Sequence, residues 1–258
     1  MKDSPDPSKA RKVVLSASRK LKRSEVIAQT IVDHILRYGL SEGEHLPNEP
    51  GLLQSLSVGR ATLREALRLL ETRGVVTIRS GPGGGPIVRR PRPSDLNESL
   101  SLLLQFEGAT IRDVMEARKA LEPVVAGLAL DAITPEDLEG LALTVERMRD
   151  HMEDDAVFFE ESRKFHAGIA RLTGSLVMIA IVEALHSLTS GISQDVARTP
   201  DYRASVVKGH DRIVHHLAEG SKDVTQAMFD HVAEAAVYWE LASPGFMANN
   251  VRWTPLGS

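Results

Sequence analysis

The chain has 258 residues, 42% of them apolar and 4% aromatic, which is enough for one large domain or two smaller ones. It contains no cysteine, so disulfides, thiolate chemistry and cysteine-ligated zinc are excluded. The formal net charge of −4 hides an asymmetry, because residues 1–93 carry 17 Lys+Arg against 9 Asp+Glu and the remainder carries 14 against 26.

A basic third joined to an acidic remainder suggests one part for a polyanion and another for a different task. The N-terminus is polar with no apolar run behind it, so no signal peptide is expected. The most apolar stretch, 176–185, is too short to span a bilayer and contains Glu183. The expectation is a cytoplasmic protein with no membrane partner.

Residues 1–23 lack any apolar period and read as a disordered basic arm, either a nonspecific attraction to DNA or a solubilising tail. Ser24 is a plausible cap for a helix to about Tyr38, with Ile27, Ile31 and Ile35 inward and Gly39 as its stop. A loop over 40–47 leads to a short helix near 49–56.

A tight turn at Ser57–Gly59 opens the stretch around which the N-terminal third is organised. Leu63, Ala66, Leu67 and Leu70 recur at helical spacing, while Arg60, Arg64 and Arg68 lie four apart on another face. Such a row is either a solvated charged face or a set of guanidinium forks for guanine edges and phosphates. Two short helices joined by a turn, the second bearing outward arginines, form a helix-turn-helix pattern.

Val75-Val76-Thr77-Ile78 is strand-like, 81–85 is a glycine-rich turn and Ile87-Val88 returns, giving a two-stranded wing. The glycine turn lacks a following Lys-Ser/Thr and joins two strands, which argues against a nucleotide phosphate loop. The expected domain covers 24–90, and Pro91-Arg92-Pro93 starts a semi-rigid linker over 91–94.

From residue 95 to about 242 only helical periods occur, at 95–107, 111–131, 135–152, 155–172, 175–195, 202–219 and 223–241. Thr110 and Thr134-Pro135 are start signals, and Gly174 and Gly220 are breaks. The expected architecture is mainly α: a winged helix-turn-helix followed by an antiparallel bundle of six or seven helices, with a tail over 243–258.

Leu46-Pro47-Asn48-Glu49, the run Val58 to Leu67 and Leu70-Glu71-Thr72-Arg73-Gly74-Val75-Val76 with the glycine wing resemble the DNA-binding domain of GntR-family bacterial transcription regulators. The resemblance implies base or phosphate contacts by Arg60 and Arg64, with Thr62 and Arg68 on the same helix, and a minor-groove approach by Gly83 and Gly84. Pro50, Gly59 and Ala61 replace an arginine and two hydroxyl residues common in that family, so the operator is expected to differ from the usual one.

The later helices are similar to the all-helical FCD ligand-sensing domain of the FadR-type branch, through Glu116 to Glu122, Phe165-His166, His210-Asp211-Arg212-Ile213, Met228 and His231. On spacing alone, His166, His210 and His231 read as surface or core residues. The resemblance implies a divalent transition metal, zinc or nickel, held by these three. The branch places an aspartate one turn before the first histidine, and Ser162 stands there; Glu160 and Glu161 point to other faces. Three outcomes stay open: a three-histidine site with open positions, a weaker site, or an abandoned one.

Arg118 either forks onto an effector carboxylate or pairs with Glu122 or Glu116, while His151, His186, His215 and His216 read as surface or packing residues. The expected function is a homodimeric regulator, a repressor released from a palindromic operator by a small organic acid. The alternatives are a metal-dependent enzyme on the helical bundle and a DNA-binding dimer with no effector. A long acyl effector would instead need a large, apolar, metal-free cavity.

Overall fold

The computed structural model describes residues 22–81, 83–190 and 199–253. The basic arm therefore lies outside the described residues up to residue 21, as do 191–195 of the expected fifth bundle helix and the end of the expected tail. The chain forms two compact units, which meet at residues 91 and 92.

The first unit holds α1 (Arg23–Tyr38), α2 (Glu49–Leu56), α3 (Arg60–Thr72), β1 (Val76–Arg79) and β2 (Gly85–Val88). Ile27, Ile31 and Ile35 of α1 pack on Leu63, Ala66, Leu67 and Leu70 of α3, with Leu52, Val76 and Val88 closing the core. Ser24 is not the cap of α1. Lys22 takes that place and donates its backbone N–H to Glu25 at 2.9 Å, while Ser24 is buried inside the first turn. Gly39 ends the helix in the left-handed region, as a stop without a Cβ can.

Asn48 caps α2 by accepting from Gly51 N–H at 3.0 Å, and Pro50 sits in the first turn, where its missing donor is no loss. β1 and β2 pair antiparallel with Val76 opposite Val88 and Arg79 opposite Gly85. The loop before α2 also pairs with β2, through Leu46 N–H to the Pro86 carbonyl and Val88 N–H to the Glu44 carbonyl.

The second unit is helical: α4 (Pro93–Glu107), α5 (Ile111–Ala129), α6 (Pro135–Asp150), α7 (Asp155–Leu172), α8 (Leu176–Ser190), α9 (Pro200–Ala218) and α10 (Val224–Ala242). Thr110 and Thr134 cap α5 and α6, each exchanging bonds with an aspartate three residues on, Asp113 and Asp137. α4 begins two residues before the expected start, because Arg92 N–H is held by Asp95 at 2.6 Å and Pro93 suits the first helical position. Gly174 and Gly220 end α7 and α9 at positive φ.

α5 packs along α10, which also packs on α9, and α7 lies between α6 and α8. Residues 243–253, part of the expected tail, are packed rather than loose. Phe246, Met247 and Val251 are buried, and the strand-like segment bonds the start of α5 through Ile111 N–H to Asn249 and Val251 N–H to Ala109.

Candidate metal centre and nucleic-acid interface

In the first unit the apolar face of α3 is fully used by the core, so its remaining faces set what the helix can do. Arg60, Arg64 and Arg68 are exposed and Thr62 is half-buried. Gly59 offers no capping side chain, so the first N–H groups of α3 are left for another acceptor.

The wing glycines have an intramolecular reason to be there. Gly83 has φ of +76°, and a Cβ on Gly84 would lie 2.3 Å from the Arg79 carbonyl oxygen, inside any tolerable contact. Gly84 N–H also closes the turn onto the Gly81 carbonyl at 2.9 Å. Glycine at 84 is thus required by the turn itself, whatever it meets outside.

In the second unit, four helices bring imidazoles together. His166 (α7), His210 (α9) and His231 (α10) are buried with their Nε2 atoms converging: His210 lies 3.2 Å from His166 and 3.1 Å from His231. Phe165 stacks on the His210 ring at 4.2 Å, which fixes its plane. Nδ1 of His210 lies 3.3 Å from the Met148 sulfur. A thioether can only accept, so the proton belongs on Nδ1 and the Nε2 lone pair faces the other two rings.

Burial holds His210 and His231 well below the ordinary imidazole range, helped by their imidazole neighbours and, for His231, by Arg118. Both are therefore neutral at neutral pH and able to ligate. Three ligand nitrogens about 2.1 Å from one ion would sit roughly 2.9–3.4 Å apart in octahedral or tetrahedral geometry. Both separations from His210 fall in that interval, so the donor set fits zinc or nickel.

Ser162 is half-buried and lines the cavity beside the histidines, offering no carboxylate. Glu160 pairs with Arg163, and Glu161 with Lys164 and Arg147, each away from the centre. A carboxylate does reach the cluster, from α5. Glu122 is buried, with Oε2 2.5 Å from His166 Nδ1 and Oε1 2.6 Å from Arg118 Nε and 3.2 Å from His186 Nε2. Burial is the largest influence on it and favours the neutral acid, but Arg118, His186 and His166 together hold it well below the usual carboxylate range.

Of the surface and packing readings expected for His186 of α8, burial excludes the first. It is buried at the centre, its pKa lowered to about 3 by burial and by Arg118. Arg118 is inward and pairs with Glu122, not Glu116, and also reaches His186 at 3.1 Å. Arg118, Ser162, His166, His186 and His231 share one cavity of about 60 Å³, walled further by Tyr202 and Trp239.

Residues 23–84 match the family described as bacterial regulatory proteins, gntR family, and residues 113–234 match the FCD domain. The chain belongs to the GntR family. The same pairing of domains places this GntR chain in the branch whose second domain is FCD. It is 30% identical over 168 residues to the HTH-type transcriptional repressor NanR of Salmonella newport and 31% identical to that of Cronobacter sakazakii, covering 64% of each pair of chains. The chain thus spans a little under two thirds of the length of these curated relatives. A solved GntR structure from Streptococcus agalactiae is 26% identical, with a TM-score of 0.63, over 82% of this chain and 98% of that one.

Sequence reasoning about this GntR chain names neither Met148 nor Gly209, gives His186 no place at the centre and takes Glu122 only as a partner for Arg118. His186 left a faint signal, since Val182, His186 and Thr189 share one buried face of α8. Glu122 left another, one turn after Arg118. Gly209 left none: it precedes His210, and a Cβ there would lie 2.5 Å from His231 Nδ1.

Proposed function

We propose that this chain is a ligand-responsive transcriptional repressor that binds a palindromic operator as a homodimer and is released by a small organic acid held at a metal centre. The observation that carries the sensing half is the cavity lined by His166, His231 and the Arg118 guanidinium, with His210 Nε2 converging on both of those histidines. A divalent ion bound by His166, His210 and His231 supplies a Lewis-acidic position for a carboxylate. Arg118 offers its outer face to the same carboxylate while Glu122 holds its inner one.

Size supports a small effector, since about 60 Å³ of free volume holds roughly four waters, on the order of 15 Å³ each. The charged and imidazole groups in the lining, Arg118, Arg163, His166, His186 and His231, argue against a long acyl chain. For the reading half, the support is the exposed arginine row of α3, the wing, and relatives named as transcriptional repressors. Those relatives are regulators, which leaves the enzyme alternative without support.

Purified protein dialysed without chelator is expected to hold about one zinc or nickel per chain by elemental analysis, and the His166→Ala variant none. Absence of metal after incubation with either ion would reduce the centre to a packed histidine cluster. The metal-loaded protein is further expected to melt higher with at least one member of a panel of two- to six-carbon carboxylates. Ligand at a hundred times its Kd adds about 2.7 kcal/mol of stability. If no acid moves the melting point, the domain is a dimerisation platform.

A further inference from the structure

The structure assigns to Glu122 part of the work of the missing aspartate, done one bond further out: its carboxylate holds the proton on His166 Nδ1 and aims the Nε2 lone pair into the three-histidine centre. This rests on the metal reading above. The distances leave little choice of partner. Neither His166 Nδ1 nor Glu122 Oε2 has a well-aligned hydrogen bond among the described residues, both are buried, and they lie 2.5 Å from each other, closer than two lone pairs tolerate without a proton. One proton must lie between them, and with the Arg118 guanidinium paired to the other oxygen of the same carboxylate at 2.6 Å the ring nitrogen carries it.

A ligating histidine whose other ring nitrogen donates to a carboxylate has its tautomer, ring angle and basicity set by that partner. Met148 does the first of these for His210 but brings no charge. Three neutral imidazoles around a dication leave two positive charges buried, and with Ser162 in the aspartate's place the first sphere has no anion. Glu122 is the acid that reaches a ligand histidine.

Glu122, His166 Nδ1 and His186 are also close enough to suggest a second metal site. The Arg118 guanidinium already occupies it. Nε lies 2.6 Å from Glu122 and one Nη 3.1 Å from His186, so a cation is in place and a divalent ion beside it would meet like charge. The second cluster is therefore a support for the first, and Arg118 keeps Glu122 ionised and correctly turned. Glu122 is thus a positioning residue.

The test is zinc affinity by competition with a chromophoric chelator, together with long-range proton–nitrogen NMR of the histidine rings in metal-free protein. In the native protein His166 is expected as the Nδ1–H tautomer, and Glu122→Gln is expected to bind zinc about 10- to 100-fold more weakly. The glutamine can turn its NH2 toward Nδ1, which moves the ring proton to Nε2 and blocks the lone pair. An Nε2–H tautomer in native His166, or equal affinity in Glu122→Gln, overturns the assignment.

Should Glu122→Gln fail to fold because Arg118 is left unpaired, the double variant Arg118→Gln, Glu122→Gln removes both charges, and the same loss of affinity is expected. The tautomer of the native protein needs no variant at all. If the native protein takes no zinc while His166 is Nδ1–H, the metal reading fails and the hydrogen-bond lock stands, so the two failures are distinguishable.

Discussion

Alanine in place of Gly209 is expected to weaken metal binding at least ten-fold while leaving the bundle folded. Gly209 is buried in α9 directly beside the ring of His231, and an added Cβ would sit 2.5 Å from Nδ1, 3.3 Å from Cγ and 3.5 Å from Cβ of that residue. The ring cannot simply step aside. It lies nearly parallel to His166, with centroids 5.3 Å apart, and 4.4 Å from His210 on the other flank.

Two energies oppose each other in the fold. Glycine to alanine inside a helix gains about 1 kcal/mol, and overpacking costs about 1–3 kcal/mol. The net change in stability is therefore small, on the order of 1 kcal/mol. Metal binding has no such compensation, because a ligand constellation tolerates only about 0.5 Å of displacement. Zinc titration of the variant, next to its thermal unfolding without metal, is the measurement. A Kd at least ten-fold weaker with nearly unchanged unfolding is expected. Native affinity would mean that His231 is not a ligand.

The same residue shows why the fold was more legible than the site. Helix starts announce themselves within four residues, as Thr110 with Asp113 and Thr134 with Asp137 do, and left-handed stops need a glycine at one place, as at Gly39, Gly174 and Gly220. The buried stripe of α3 follows from spacing alone, because the 3.6-residue period fixes which side chains share a face.

The centre is different in kind. Its members come from α5, α7, α8, α9 and α10, and which face of one helix meets which face of another is decided by packing over 100 or more residues of chain. Arg118, Glu122, His166, His210 and His231 could be singled out from sequence. That Arg118 and Glu122 on one helix meet His186 from another could not, because helical periodicity relates residues along one helix and so points to a carboxylate on α7 and not to one arriving from α5. Gly209 is invisible for a further reason: its role is the absence of an atom where another helix comes close.

The second large effect is on the reading head. Arg64→Ala is expected to remove most of the sequence-specific binding while leaving the fold intact, since the side chain is exposed and exposed substitutions cost within about 0.5 kcal/mol. Side chains in the first turns of a recognition helix meet base edges, and those further along meet the backbone. Arg60 opens α3, Arg64 lies one turn on, about 6 Å further, and Arg68 another turn beyond. Arg60 and Arg64 are thus expected to meet bases and Arg68 phosphate.

A bidentate arginine–guanine contact is worth about 1–3 kcal/mol. The proposed homodimer would lose it twice, once per half-site, for about 2–6 kcal/mol, a factor of roughly thirty to twenty thousand. A phosphate contact would behave otherwise: binding to every sequence falls alike, and the slope of log affinity against log salt drops by about one per contact.

The measurement is affinity across a salt series, for a duplex selected from a random pool by the native protein and for a scrambled duplex of equal length. Loss on the selected duplex with little change on the scrambled one is the expected result for Arg64→Ala. Arg68→Ala is expected to lower both curves and flatten both slopes. Undiminished binding by Arg64→Ala would move recognition off α3, and the wing, whose Gly84 the turn requires on its own account, would be the next place to look.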